Sequence, residues 1–255
     1  MKVKLFPDED VTGALERAPN WMIVQNQALV YSTKRKLGRT TYMTTNRLEA
    51  AADRSEILEV SLRSFVYRDR GNWDELLDSF HPDAEILTSW FEGNAHEFIE
   101  GSSKMIHSHD PADSQKHVIG NQFVSLNDGR AICEFYVTLN QRRRIDGYLF
   151  DFMTWSNVID MHLRRDGQWR IIGRFTIYEK DRMDPHKRGE VPDSFFENMD
   201  LAPFPDALKF HCWRNVQGSG EPPSKGLAIE NTERAASIRK DVRTWLDGGS
   251  LPWQK

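Results

Sequence analysis

Cysteine is scarce in this chain: Cys133 and Cys212 are the only two among 255 residues, and they stand far apart. Two such cysteines make no disulfide framework and no C-x-x-C pair, which excludes a stapled mini-scaffold and fits a reducing cytoplasm. Long hydrophobic runs are also missing. The opening stretch from Met1 to Val11 has no apolar h-region and no run reaches transmembrane length, so neither secretion nor a membrane partner is expected. Neither sign of charge dominates. With 34 Lys+Arg against 38 Asp+Glu the formal net charge is -4, which argues against nucleic acid or an anionic membrane as partner. No G-x-G-x-x-G, G-K-[ST] or G-x-S-x-G occurs, so nucleotide-binding and serine-hydrolase readings have no footing. His107, His109 and Asp110 precede Pro111 without a third ligand at a recognised spacing, so no metal and no other cofactor is expected.

What the chain does have is aromatic mass, with 8 Trp and 14 Phe. On this scale aromatics fill a core or line an apolar pocket. The residues fall into three stretches: an arm over 1–45 without sustained period, a patterned domain over 46–180, and a proline-rich extension over 181–255. Asp53 and Glu56 have capping-box spacing, which predicts a helix from Asp53 to about Arg70 with Leu58, Leu62 and Phe65 on its apolar face. Asp69 falls on that same face, where a carboxylate needs a donor or a cation. Trp73 to Phe80 reads as a short helix, His81-Pro82-Asp83 as a turn, Ala84 to Ser89 as a strand, and Asn94 to Ile106 as a third helix.

The period then changes from helical to alternating. Gln115 to Ser125, Arg130 to Arg144, Tyr148 to Arg165 and Gln168 to Lys180 are rich in Val, Ile, Phe, Tyr and Thr, with hairpin turns at Asn127-Asp128-Gly129 and Asp166-Gly167. Helices followed by four long antiparallel strands make an α+β layout, expected here as a strongly curved sheet wrapped on helices into a cone-shaped barrel with a cavity between the layers. The extension reads as irregular chain with aromatic anchors such as Phe195, Phe204 and Trp213. It ends in a helix carrying Ala235, Ile238, Val242, Trp245 and Leu246, stopped by Gly248-Gly249.

The run from Tyr67 through Arg68, Asp69, Arg70, Gly71, Asn72 and Trp73, followed by Phe80 to Glu85, resembles the opening of the nuclear transport factor 2-like superfamily, in particular its SnoaL-like branch. The hairpin Arg164 to Ile171 is similar to that superfamily's last turn. Two cofactor-free lyase families within it, the scytalone dehydratases and the hexachlorocyclohexane dehydrochlorinases, pair an Asp at the end of the first helix with a His on the following strand. Those positions match Asp69 and His117, and an Arg five residues after the hairpin Trp matches Arg174. The chain departs at Asn140, Arg68 and Ser64, where those families place a second His, a Tyr and a Lys. Similarity to the diarylpropane lyases of lignin breakdown bears on substrate class only.

The resemblance implies a cofactor-free lyase in which Asp69 orients His117, His117 takes a proton and Arg174 stabilises developing charge. Water, formaldehyde or halide would leave a bulky hydrophobic, aromatic small molecule. Candidate substrate-binding residues are Tyr67, Tyr136, Asn140, Trp90, Phe152, Trp155 and Tyr148. Two alternatives stay open: an isomerase or cyclase using the same pocket, and a non-catalytic subunit like the small subunits of ring-hydroxylating dioxygenases. A homotrimer is an expectation of the resemblance.

Overall fold

A computed structural model describes residues 47–107, 110 and 112–254. The expected arm over 1–45 therefore lies outside the described residues.

The first helix, α1, runs over 47–70, so Asp53 and Glu56 sit inside it and cap nothing. Their carboxylates instead receive Trp169 from the sheet: Asp53 Oδ1 accepts from the indole Nε1–H at 2.9 Å and Glu56 Oε1 from the Trp169 backbone N–H at 3.2 Å. The buried face of α1 is also rotated from the expected one. Ile57, Ser61, Ser64 and Phe65 are buried, whereas Leu62 is exposed. Two serines at i and i+3 let the helix approach the sheet closely, and each hydroxyl is used there. Ser61 Oγ meets His162 Nε2 at 2.9 Å, and Ser64 Oγ accepts from Arg174 at 2.7 Å while donating to Ser61 O.

Helix α2 spans Trp73–Asp78 and leads into strand β1, Phe80–Leu87. The expected turn at His81-Pro82-Asp83 is strand instead. Proline is tolerated because it lies where the β1–β6 register is irregular, between Phe80 and Glu85, and no ladder donor is needed. Strand β2 is Glu92–Asn94 and α3 is Ala95–His107. Strands β3 (Ser114–Asn127), β4 (Arg130–Ile145), β5 (Tyr148–Arg165) and β6 (Gln168–Pro185) form the expected antiparallel meander. Its turns place Asp128, Asp146 and Asp166 at φ near +50°, with Gly147 and Gly167 following at positive φ, the backbone that two-residue hairpins demand.

The expected barrel does not form. The sheet is mixed and open, in the order β2-β1-β6-β5-β4-β3, with three-residue β2 at one edge and β3 at the other. These edges do not pair, and β1 runs parallel to β6, so the sheet neither closes nor curls strongly.

Beyond β6 come α4 (Asp193–Glu197), α5 (Lys209–Ser219), β7 (Ala228–Ile229) and α6 (Glu233–Leu246). The terminal helix α6 is the expected one, while the stretch expected to be mainly irregular adds a strand, paired parallel to β6 at Ile177 and Tyr178, and the helix α5. Thr232 caps α6 by accepting from the Ala235 N–H. Ile238, Val242, Trp245 and Leu246 then pack on Ile132, Ile159, Met161, Ile172, Phe175 and Ile177, burying the sheet face opposite α1. At about 1.5–3 kcal/mol per buried large apolar side chain, this cover is a substantial part of the stability.

Candidate active site

Strand alternation selects what faces α1. On β3 and β4 the odd positions Gln115, His117, Val137, Leu139 and Gln141 line a cavity, and on β5 the even positions Thr154, Ser156 and Val158 continue it. On β6 the pairing skips Ile172 between Gly173↔Met161 and Ile171↔His162. This bulge reverses the parity of the strand. Trp169 and Ile171 therefore point toward the helices before it, and Arg174, Thr176 and Tyr178 point into the cavity after it. Phe65 and Arg68 from α1, Trp90, Phe98 and Met105, and His211, Arg214 and Asn215 from α5 complete a cavity of about 710 Å³, counted out to its solvent mouth.

Asp69 and His117 meet at one end. His117 Nδ1 lies 2.6 Å from Asp69 Oδ1, and the His117 backbone N–H donates to Asp69 Oδ2 at 2.8 Å. The second bond follows from topology: β3 is an edge strand, so half its N–H groups point away from β4 and need another acceptor. Both side chains are 5% exposed. Burial pushes the Asp69 carboxyl up, but the ring and backbone N–H groups of His117, with Arg68 behind them, outweigh it and hold the carboxyl below its ordinary value. Burial lowers His117, against the upward pull of Asp69. A neutral imidazole with Nδ1–H on an anionic carboxylate is the result, and it turns Nε2 toward the cavity as an acceptor. Arg68 Nη1 approaches that nitrogen at 3.4 Å, a long contact.

Arg174 faces the same cavity and is 3% exposed. Its Nε and Nη2 each donate to Asp160 at 2.7 Å, and Nη2 also reaches Ser64 Oγ. The guanidinium lies over Phe65, 4.3 Å from the ring centroid. Nη1 is its one nitrogen without a hydrogen-bond partner among the described residues.

Of the seven expected substrate-binding residues, Trp90 alone lines this cavity, stacked on Phe98 at 5.3 Å. Tyr136 is half exposed, and Asn140, on its parity, donates to Thr138 O. Trp155 faces away beneath Lys180 Nζ, 4.7 Å from its ring. Tyr67 packs beside Phe80 and Ile86, and Tyr148 on Phe195. Phe152 is buried under Arg214, outside the lining.

The opposite end was not foreseen. His211 Nε2 lies 2.6 Å from Ser89 Oγ, and its Nδ1 is approached by Thr154 Oγ1 at 3.0 Å and Arg214 Nη2 at 3.2 Å. An arginine must donate, so Nδ1 accepts and Nε2–H donates to Ser89. Burial lowers this imidazole well below its ordinary value, with Arg214 adding to the effect. Tyr178 accepts from the Ser89 N–H at 3.0 Å. Among the described residues no group of three or more His, Cys, Asp or Glu could hold a metal ion, and no helix is long and apolar enough to cross a membrane.

Comparison with known proteins supports the same framework. Residues 49–174 match the family described as the SnoaL-like domain. Over 212 residues the chain is 26% identical to pea pathogenicity protein 2 of Fusarium vanettenii, a match spanning 79% of this chain and 88% of that protein. Among solved structures it is similar to a candidate scytalone dehydratase from Novosphingobium aromaticivorans, at 18% identity and a TM-score of 0.46, covering 59% of this chain and 97% of that one. A nuclear transport factor 2-like protein with a cystatin-like fold from the same organism gives 22% identity and a TM-score of 0.42, covering 52% and 85%. Over residues 49–174, from α1 to Arg174 on β6, the chain carries a SnoaL-like domain.

Proposed function

We propose that the domain is a cofactor-independent lyase that abstracts a proton from a small molecule with a bulky hydrophobic body and expels water, formaldehyde or halide. The observation that carries this reading is the buried Asp69–His117 pair, with Nε2 beside Arg68 in the lining of the cavity. His117 acts as base. For loss of hydroxide or halide its Nε2 takes a C–H proton, the electrons of that bond form the new double bond, and the leaving group departs with its own bonding pair. For loss of formaldehyde it takes the proton of a terminal hydroxyl, the O–H electrons form the aldehyde C=O, and the broken C–C pair forms the double bond as a hydroxide leaves the neighbouring carbon. Where that group is hydroxide, the imidazolium returns the proton and water leaves. Asp69 keeps the imidazole in the Nδ1–H tautomer and stabilises the imidazolium, and positioned bases of this kind give about 10² to 10⁴-fold in rate.

Two arginines support the charge side of this chemistry. Arg68 lies within 3.4 Å of the proton-accepting nitrogen, in position to donate to a departing oxygen or halide. Arg174, tied to Asp160 and Ser64, contributes a fixed positive field and the Nη1 donor. Phe65, Trp90 and Phe98 give the hydrophobic body of the substrate its walls.

The apolar side chains Val118, Phe123 and Tyr136 share the opposite, solvent-facing side of β3 and β4, each at least half exposed. They support a homo-oligomer, a trimer in our reading, in which this face is covered.

The deciding experiment is a mass-spectrometric turnover screen of wild type and His117→Ala on aryl alcohols, diarylpropane diols and chlorinated cycloalkanes. A product lighter by water, formaldehyde or HCl, absent with the variant, is the expected result. Unchanged mass with altered retention would replace elimination by isomerisation, and silence across the panel would favour a binding subunit.

A further inference from the structure

Two cations of the cavity have no carboxylate at ion-pair distance. Arg174 is matched by Asp160, and Asp69 is hydrogen-bonded to His117 while acting on Arg68 without an ion pair. Among the described residues, neither Arg68 nor Arg214 forms an ion pair with a carboxylate. Arg214 is the sharper case. It is 7% exposed, its Nη2 serves Asn215 Oδ1 and His211 Nδ1, and its buried Nη1 has no hydrogen-bond partner. Asp181, a nearby carboxylate, is engaged elsewhere by the backbone N–H groups of Phe210 and His211 at the start of α5. Arg143 on β4, whose Nε lies 3.9 Å from Asp113, also acts on Arg214. The Tyr178 phenol is close enough to Arg68 and to Arg214 to be felt by both. The cations thus flank one wall of one cavity.

Burying a guanidinium without an ion pair costs several kcal/mol in general, and Arg214, hydrogen-bonded to neutral partners with Asp181 acting on it from a distance, leaves its Nη1 unanswered. Burial lowers Arg214 to about 9 and Arg68 to about 10, which leaves both charged at neutral pH.

We propose that the substrate carries a carboxylate, received by the free Nη1 edge of Arg214 at the α5 end with Arg68 contributing from the α1 end, while the apolar body of the substrate lies along Phe65, Trp90 and Phe98. The inference rests on the reading of this cavity as the substrate site. It deepens that reading by making the substrate a hydrophobic organic acid whose charged end fixes which C–H faces His117. It also gives the extension a role in recognition, since Arg214 and His211 both stand on α5, outside the matched segment 49–174.

The test uses the full chain and an isosteric pair of probes, cinnamate and cinnamamide, titrated calorimetrically against wild type, Arg214→Gln, Arg214→Lys and Leu77→Ser, an exposed position outside the cavity. Wild type is expected to prefer cinnamate at least tenfold with one site per chain. Arg214→Gln should erase the preference, Arg214→Lys retain part of it, and Leu77→Ser keep it whole. Equal affinity for the two probes, binding of neither, or an undiminished preference in Arg214→Gln overturns the proposal. Should Arg214→Gln fail to fold, wild type, Arg214→Lys and Leu77→Ser decide it. Carboxylate preference without turnover in the product screen would remove the lyase reading alone, and His117-dependent turnover without the preference would remove this one alone.

Discussion

The two ends of the cavity are built from the same residue types and do opposite things. Each presents a histidine and an arginine in contact, His117 with Arg68 and His211 with Arg214. What differs is the group behind the imidazole. His117 has a carboxylate on Nδ1, which fixes the tautomer, aims a lone pair at the cavity and stabilises the protonated ring. His211 lies between the hydroxyls of Ser89 and Thr154 with an arginine on its accepting nitrogen, so protonation there would displace donors and bring two cations together. A buried imidazole backed by a carboxylate is suited to accept a proton; one backed by hydroxyls and a guanidinium is suited to be a fixed polar strut.

Removing the difference at the first end should have the largest effect. His117→Ala is expected to lower turnover by about 10² to 10⁴-fold. Asp69→Asn, which keeps the shape but not the charge, should lower kcat by a smaller factor and leave KM nearly unchanged, as steady-state kinetics on the product found in the screen would show.

Acid separates the ends next. Because His117 is held below its ordinary value, turnover should rise with pH along a limb whose midpoint lies below 6.5. Stability should move in the same direction. His117, His211 and His162 are all lowered by burial, His162 to about 4, so below pH 6.5 the unfolded chain takes up protons that the folded chain refuses. Stability is therefore complete above 6.5 and is lost as pH falls toward 4, which denaturant titrations at stepped pH would follow. Equal stability at pH 7 and pH 5 would remove the neutral assignment of these rings.

The strut role of His211 gives a smaller effect. Ser89→Ala leaves the buried Nε2–H without its acceptor and should cost about 1–3 kcal/mol of unfolding free energy, read by urea denaturation. The smallest effect has the opposite sign. Arg214→Met removes a buried guanidinium that forms no ion pair among the described residues and leaves its Nη1 without a partner, and a gain near 1 kcal/mol would raise the melting temperature by about 2–4 °C in a chain of this size.

The legibility of the molecule follows the same division. Turn chemistry at Asp128-Gly129 and Asp166-Gly167 and the alternating β-branched strands located β3 to β6 within a few residues, because local φ/ψ demands and period 2 are written locally. The pairing of Asp69 with His117 was legible through family spacing. The closed barrel was not a local matter: whether edge strands meet depends on pairing between β2 and β3, which no local pattern encodes. Tyr136, Asn140 and Trp155 were placed by aromatic or polar character, while strand parity already put them opposite His117 and Val137. Arg68 was passed over as a departure from relatives, although Ser61, Ser64, Phe65 and Arg68 recur at i, i+3, i+4 and i+7, a stripe visible once serine is allowed to be buried. His211 and Arg214 carried no signal beyond a helix hidden among prolines.

The skipped residue Ile172 has a second counterpart on the same strand. Pairing passes from Tyr178↔Ser156 to Lys180↔Trp155, leaving Glu179 unpaired, after which Asp181 and Met183 face inward opposite Thr154 and Phe152. Strand β6 is consequently three short phrases in alternating phase, inward at 169 and 171, then at 174, 176 and 178, then at 181 and 183. A saturation scan along it should show tolerance oscillating every second position, with the beat inverting at 172 and again at 179. Deleting either residue would let the strand alternate regularly while Ile171, Arg174, Thr176, Tyr178, Asp181 and Met183 kept their faces and partners, so each inversion is the work of one extra residue.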